Sequence, residues 1–189
     1  MANYLDKDSL AGLDEYRHKI FALRAEAYQK YKIDVLDNDT LSALSIYEIV
    51  SEYDSDYNIN FARNGEDSKS NNVLIEQKAS RIAKKKKSGQ YPTASFQFHA
   101  KGNIEYNRYI FATRDLATLE LIRIYDISNE KNTKLIQQDL LNKRANWEAK
   151  NLKLGYTQKY DVILLDEEFL QKLEASTKQI INGVEVIQA

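Results

Sequence analysis

The apolar residues of this chain change their spacing several times, and those changes limit the folds open to it. Leu10, Leu13, Tyr16, Ile20, Leu23, Ala27 and Tyr31 keep helical spacing, which predicts a long helix over 9–31 that Ser9 can cap. Leu41, Leu44, Ile46, Ile49, Val50 and Tyr53 predict a second helix over 40–53, capped by Asp39 or Thr40. From residue 57 the spacing falls to two, the period of a strand with one buried face. Residues 57–62 alternate around Ile59 and Phe61, and 73–79 follow the apolar lead-in Val73-Leu74-Ile75. Over 93–99, Phe96 and Phe98 take one side and Ser95, Gln97 and His99 the other. Residues 108–113 and 119–125 add two strands, with Thr113-Arg114-Asp115 opening the turn between them. Helical spacing returns over 129–151 through Leu135, Ile136, Leu140, Arg144 and Trp147, with Ser128 or Asn129 as cap. Tyr160 to Leu165 then reads as a buried strand, Asp166 as the cap of a short helix over 167–175, and Val184-Glu185-Val186-Ile187 as an edge strand. This order predicts a mixed central β-sheet flanked by helices on both sides, in the α/β class bordering on α+β.

Nothing divides that series. The chain has 189 residues, one proline, six glycines and no repeat or linker, so one domain spanning 1–189 is expected. It would comprise N-terminal helices over 9–53, a sheet over 57–125 and a C-terminal helix-strand-helix over 129–175. Absence of cysteine excludes disulfides and cysteine-based zinc sites. No apolar run reaches membrane-span length, and Met1-Ala2-Asn3-Tyr4-Leu5-Asp6 has no signal-peptide character, so a cytoplasmic home is expected. The thirteen tyrosines suit half-buried core positions as well as phosphate contacts, and none is singled out.

A net charge of −1 argues against a protein that coats nucleic acid indiscriminately, but the charge is unevenly placed. Residues 1–76 hold 15 acids and 8 bases, whereas 77–189 hold 13 acids and 19 bases. An acidic region leading into a basic one suits a cation site beside a phosphate track.

The border falls at a motif. An acid-x-lysine triplet occurs three times, at Asp67-Ser68-Lys69, Glu76-Gln77-Lys78 and Glu148-Ala149-Lys150. The first lies in a polar loop, and the third lies in a helix, where residues two apart diverge. Only Glu76 and Lys78 follow an apolar lead-in, so they share one face of a strand. Asp67 can join them from the preceding turn, Asn64-Gly65-Glu66-Asp67. Two carboxylates suit a hard cation such as Mg²⁺, and an ammonium beside them can steady a water or the charge that builds on phosphorus.

In these residues the chain resembles the PD-(D/E)XK nuclease superfamily, type II restriction endonucleases in particular. That family sets an acid at the end of one strand and a (D/E)-x-K triplet on the next, matched here by Asp67 and Glu76-Gln77-Lys78. The resemblance covers about fifteen residues and the order of elements around them. Glu66 stands where the family has proline, so Glu66 and Asp67 compete as metal ligands, and the short loop implies a tight hairpin. Family members often recruit another acid from a packed helix. Glu48, four residues after Leu44 and seven after Leu41, is the candidate. Ser95, Gln97 and His99 match the face where such enzymes place a further polar residue. The resemblance implies a Mg²⁺-dependent endonuclease that cuts double-stranded DNA, leaving a 5′-phosphate, in a prokaryotic restriction–modification setting. Cutting both strands with one small domain suggests a homodimer on a palindrome.

Around the motif, Arg81, Lys84, Lys85, Lys86 and Lys87 follow the Glu-Lys strand and could track the DNA backbone. Arg108, Arg114 and Arg123 are available for base or phosphate contacts, with Arg114 first because its fork fits a guanine edge. His18 and His99 are too few and too scattered for a histidine-metal site, and no glycine-rich phosphate loop occurs. Two other readings stay open: a junction-resolving or repair nuclease of the same fold, and a non-catalytic DNA-binding or interaction module in which Glu76 and Lys78 are only a surface ion pair.

Overall fold

The run Tyr109-Ile110-Phe111-Ala112 has no polar alternate, and a strand of that kind must be covered on both faces. In the computed structural model it lies at the centre of the sheet, and every residue from Arg108 to Asp115 is buried. The structure describes residues 4–5, 14–31, 39–60, 66–154, 161–175 and 177–189. Ser9, Leu10, Leu13, Phe61, Asn64, Gly65 and Tyr160, named above, lie outside them.

The described helices are α1 (Asp14–Tyr31), α2 (Asp39–Val50), α3 (Glu130–Leu154) and the single turn α4 (Glu167–Leu170). The strands are β1 (Tyr4–Leu5), β2 (Asn58–Asn60), β3 (Ser68–Ser70), β4 (Val73–Ile82), β5 (Ser95–His99), β6 (Arg108–Asp115), β7 (Leu121–Ile127), β8 (Val162–Asp166), β9 (Thr177–Ile181) and β10 (Val184–Gln188). Among the described residues, eight strands form one sheet in the order β1-β2-β3-β4-β6-β7-β10-β9. β4 runs parallel to β6 and β7 parallel to β10, while the other neighbours are antiparallel, so the sheet is mixed. β5 and β8 pair separately as an antiparallel ribbon. The fold is therefore the mixed α/β arrangement expected.

The two faces hold two cores. On one, Ile46, Tyr47, Ile49 and Val50 of α2 cover Ile59, Ile75, Ile110, Ala112, Ile124 and Val186. On the other, Tyr109, Phe111, Tyr125 and Ile127 meet Phe96 and Phe98 of β5, Ile163 and Leu165 of β8, and Ile136, Leu140 and Trp147 of α3. The ribbon is laid down by aromatic contact, with the rings of Phe96 and Phe111 4.9 Å apart. Each such fully buried side chain contributes about 1.5–3 kcal/mol. Asn129 caps α3, its Oδ1 accepting the Lys131 N–H at 2.9 Å. No described helix is long and apolar enough to cross a membrane.

Several elements differ from expectation. Asp67-Ser68-Lys69 does not lie in a loop: Ser68–Ser70 form β3, paired with β2 on one side and β4 on the other. The two-residue loop Asn71-Asn72 joins β3 to β4 with both φ angles positive, 47° and 65°, the backbone of a tight hairpin that asparagine tolerates. The tail strand β10 is not an edge, because β9 pairs outside it. Asp166 stands at the N-cap of α4 without a side-chain cap bond, and its carboxylate accepts the Ser95 hydroxyl at 2.8 Å instead.

A buried ionic network joins the end of α2 to the sheet. Arg108 forks onto Asp126 through Nε and Nη2, both at 2.7 Å, and reaches Asp54 Oδ2 through Nη1 at 2.5 Å. Tyr53 donates to Asp126 at 2.7 Å and Ser70 to Asp54 at 2.6 Å. Burial pushes the Asp54 carboxyl up, but the bonds from Arg108 and Ser70 outweigh it and hold the group below the usual range.

Candidate functional site

The β3–β4 hairpin sets the register of the three residues singled out above. Ser68 pairs with Ile75, so Asp67 arrives opposite Glu76. Its backbone is fixed on both sides: Asp67 N–H donates to Ile75 O at 3.0 Å, and Asp67 O accepts from Asn60 N–H at 2.8 Å. The Gln77 N–H donates to Asp67 Oδ2 at 2.7 Å, which aims the carboxylate along β4. Glu76 and Lys78 lie in register with Tyr109 and Phe111 and so share the face covered by α3 and the ribbon. Lys78 Nζ forms an ion pair with Glu76 Oε1, donates to the Gln77 carbonyl at 3.1 Å and reaches Asp67 Oδ2 at 3.5 Å. The Phe98 ring lies beneath it, centroid 5.5 Å from Nζ. Side-chain exposure rises from 10% at Glu76 through 25% at Lys78 to 39% at Asp67, so the cluster opens toward solvent on the Asp67 side.

Burial dominates the protonation of this cluster. It pushes Glu76 up to about 7, with Lys78 opposing and Asp67 reinforcing the shift. Burial alone would lower Lys78, but Asp67 and Glu76 together hold its ammonium above the usual lysine range. Tyr106 lies close to Glu76, and burial followed by that carboxylate's charge keeps its phenol protonated well above the usual value. Gln137 Nε2 anchors the Tyr106 carbonyl at 3.0 Å and Arg144 Nη2 the Gly102 carbonyl at 2.6 Å, so α3 holds the loop that delivers Tyr106.

Sequence reasoning missed three participants: Tyr106, Phe98 and the Gln77 carbonyl. Phe98 was legible as an inward residue of β5 but not as the floor under Lys78. Tyr106 lies in a non-periodic loop, and every residue has a carbonyl, so neither left a sequence signal.

The donors suit a hard divalent cation. Among the described residues no group of three or more His, Asp or Glu comes together to hold a metal. The oxygens gathered at Lys78 are two carboxylates and one carbonyl. Mg²⁺ is typically held by one or two carboxylates and keeps several waters, so this set fits it.

No family model, curated protein or solved structure matches the chain.

The remaining expectations divide. Glu48 cannot join the site, because α2 covers the opposite face of the sheet, and its Oε2 binds Arg17 Nη2 at 2.6 Å. Glu66 forms no three-acid group with Asp67 and Glu76, and its carbonyl accepts Asn60 Nδ2 at 2.7 Å. Ser95, Gln97 and His99 are the exposed side of β5, turned from the sheet because Phe96 and Phe98 face it.

The arginines serve the fold. Arg114 is not in a turn and is no base reader. It is fully buried in β6, donating to Leu119 O at 2.6 Å and Ser42 O at 3.4 Å, with its guanidinium 5.0 Å from the Phe21 ring. Burial, then the charges of Arg17, Arg24 and Arg81, lower it to about 9. Arg108 is consumed by Asp54 and Asp126, and Arg123 Nη1 binds the buried Glu167 at 2.9 Å. Arg81, half-buried, is the register partner of Arg114 at the far end of β4. Lys84, Lys85, Lys86 and Lys87 are exposed beyond β4, with Lys84 Nζ over the Tyr91 ring at 5.2 Å. At about 3.3 Å per residue, the run starts about 20 Å along the chain from Lys78.

Proposed function

We propose that this protein is a Mg²⁺-dependent endodeoxyribonuclease that hydrolyses phosphodiesters of double-stranded DNA. The observation that carries the reading is the convergence of Asp67, Glu76 and the Gln77 carbonyl on Lys78 at one partly open rim of the sheet. Unlike the Arg108–Asp126 pair, whose side chains are 11% and 3% exposed, this cluster reaches 39% exposure at Asp67, so a substrate can approach it.

In this reading Asp67 and Glu76 hold the cation, with the Gln77 carbonyl beside them. The cation supplies Lewis acidity toward a phosphate oxygen and toward a water. Asp67 is held in orientation by the Gln77 N–H. Lys78 orients the attacking water and offsets charge gathering on the phosphoryl oxygens. The ribbon and α3 exclude water from the Glu76 side, leaving the Asp67 side for the substrate. Lys84 to Lys87 meet backbone phosphates away from the cut. Recognition of a specific sequence, action as a homodimer on a palindrome, and a prokaryotic cytoplasmic setting complete the proposal as a type II restriction endonuclease.

Incubation with plasmid and with branched DNA in Mg²⁺, followed by sequencing of the ends, tests this. Discrete plasmid fragments support restriction. Cutting confined to junctions moves the protein to a resolving or repair role. No cutting, together with no Mg²⁺ uptake in calorimetry, leaves a DNA-binding or interaction module.

A further inference from the structure

We propose that the Lys78 ammonium occupies the cation position itself and is exchanged out when a divalent ion binds, so that the lysine becomes available to substrate only in the metal-loaded protein. The inference rests on the reading of the site above and specifies how that site is loaded. One oxygen from each of the three donor groups already faces Nζ: Glu76 Oε1 in an ion pair, the Gln77 carbonyl at 3.1 Å and Asp67 Oδ2 at 3.5 Å. A Mg²⁺ ion needs such oxygens at about 2.0–2.1 Å, which places it where the ammonium now sits. Two cations cannot share that space, because their repulsion at contact distance is large in a poorly solvated site.

The lysine has somewhere to go. Its side chain is 25% exposed and carries four rotatable carbons, so Nζ can swing toward the open Asp67 side without moving the strand. Before exchange, Lys78 neutralises the two carboxylates and its donors are spent on them. After exchange, the metal takes over that role and the ammonium points to solvent, where a phosphate would lie. The arrangement is an interlock, in which the group that stabilises the reacting phosphate is released by the ion that the reaction needs.

The test uses Mg²⁺ alone, on the wild-type protein first and then on two variants of Lys78. Lysine acylation by a soluble anhydride, read peptide by peptide by mass spectrometry, should show Lys78 becoming several-fold more reactive when Mg²⁺ is added. Lys101, exposed and paired with Asp161 rather than with the cluster, should not change. Calorimetry should show Lys78→Met binding Mg²⁺ several-fold more tightly than wild type, and Lys78→Arg no more tightly, because its charge stays in place. Mg²⁺ uptake by wild type with unchanged Lys78 reactivity would overturn the exchange while leaving the metal site intact. Absence of uptake by both wild type and Lys78→Met would overturn the metal site as well.

Discussion

Glu76 is the residue on which the site's chemistry turns, because burial and Asp67 oppose its ionisation while Lys78 favours it. In the metal-free protein its carboxyl is pushed up from 4.5 to about 7. Between those values the folded state binds more protons than the unfolded one. The contribution of Glu76 to stability is therefore present below the usual carboxylate range and lost as pH rises through about 7. Urea unfolding of wild type and Glu76→Gln in EDTA should show the variant gaining relative stability as pH climbs through that window. A pH-independent difference would contradict the shift. Lys78→Ala should lower the cleavage rate by on the order of 10²–10³, the usual loss when one preorganised transition-state donor is removed, with DNA affinity nearly unchanged. Single-turnover cleavage and a filter-binding titration check the two halves. At this scale the sequence was informative where side-chain alternation decides: Glu76 and Lys78 share a face because they are two apart on a strand. It misled at Arg114. An arginine read as opening a turn looks available, yet this one is sealed under Phe21 and spent on backbone carbonyls.

Among the elements, the hairpin and the central strand do most to position the site. β3 is three residues, Ser-Lys-Ser, with no apolar alternation to reveal it, and it exists because β2 and β4 flank it. The tight turn was foreseeable from its length, and its register brings Asp67 opposite Glu76. β9 was missed for a similar reason: Thr177-Lys178-Gln179-Ile180-Ile181 has no regular alternation and gains its structure by pairing with β10. Helices α2 and α3 were legible because long apolar periodicity survives tertiary context. Which face of the sheet α2 would cover was not, and that alone removed Glu48 from the site. The Arg108 network fastens the start of β6 to the end of α2, so it should matter to the fold rather than to chemistry. Asp126→Ala should cost about 3–5 kcal/mol, since it strands a buried guanidinium. Urea denaturation measures this. A loss well under that range would mean that Asp54 alone satisfies Arg108.

Across the whole molecule, charge is sorted along the sheet. The acids of the cluster lie toward the start of β4, while Arg81 and Lys84 to Lys87 lie at and beyond its end. If the lysine run tracks phosphates, changing all four to glutamine should weaken binding to every DNA sequence alike. It should also reduce the slope of log affinity against log salt by about 0.9 for each phosphate no longer neutralised. Salt titrations of binding to two unrelated duplexes read this, and an unchanged slope would assign the run to a solvated turn. All of the proposed chemistry depends on Asp67 and Glu76 holding a divalent ion against a phosphodiester. Plasmid cleavage in Mg²⁺ by wild type, Asp67→Asn and Glu76→Gln, with folding of each verified by circular dichroism, bears on that dependence without an intermediate step. Wild type should give discrete linear products, abolished by EDTA, and neither folded variant should give any. Equal cleavage by a variant and by wild type, or none by wild type on any duplex, would contradict the assignment.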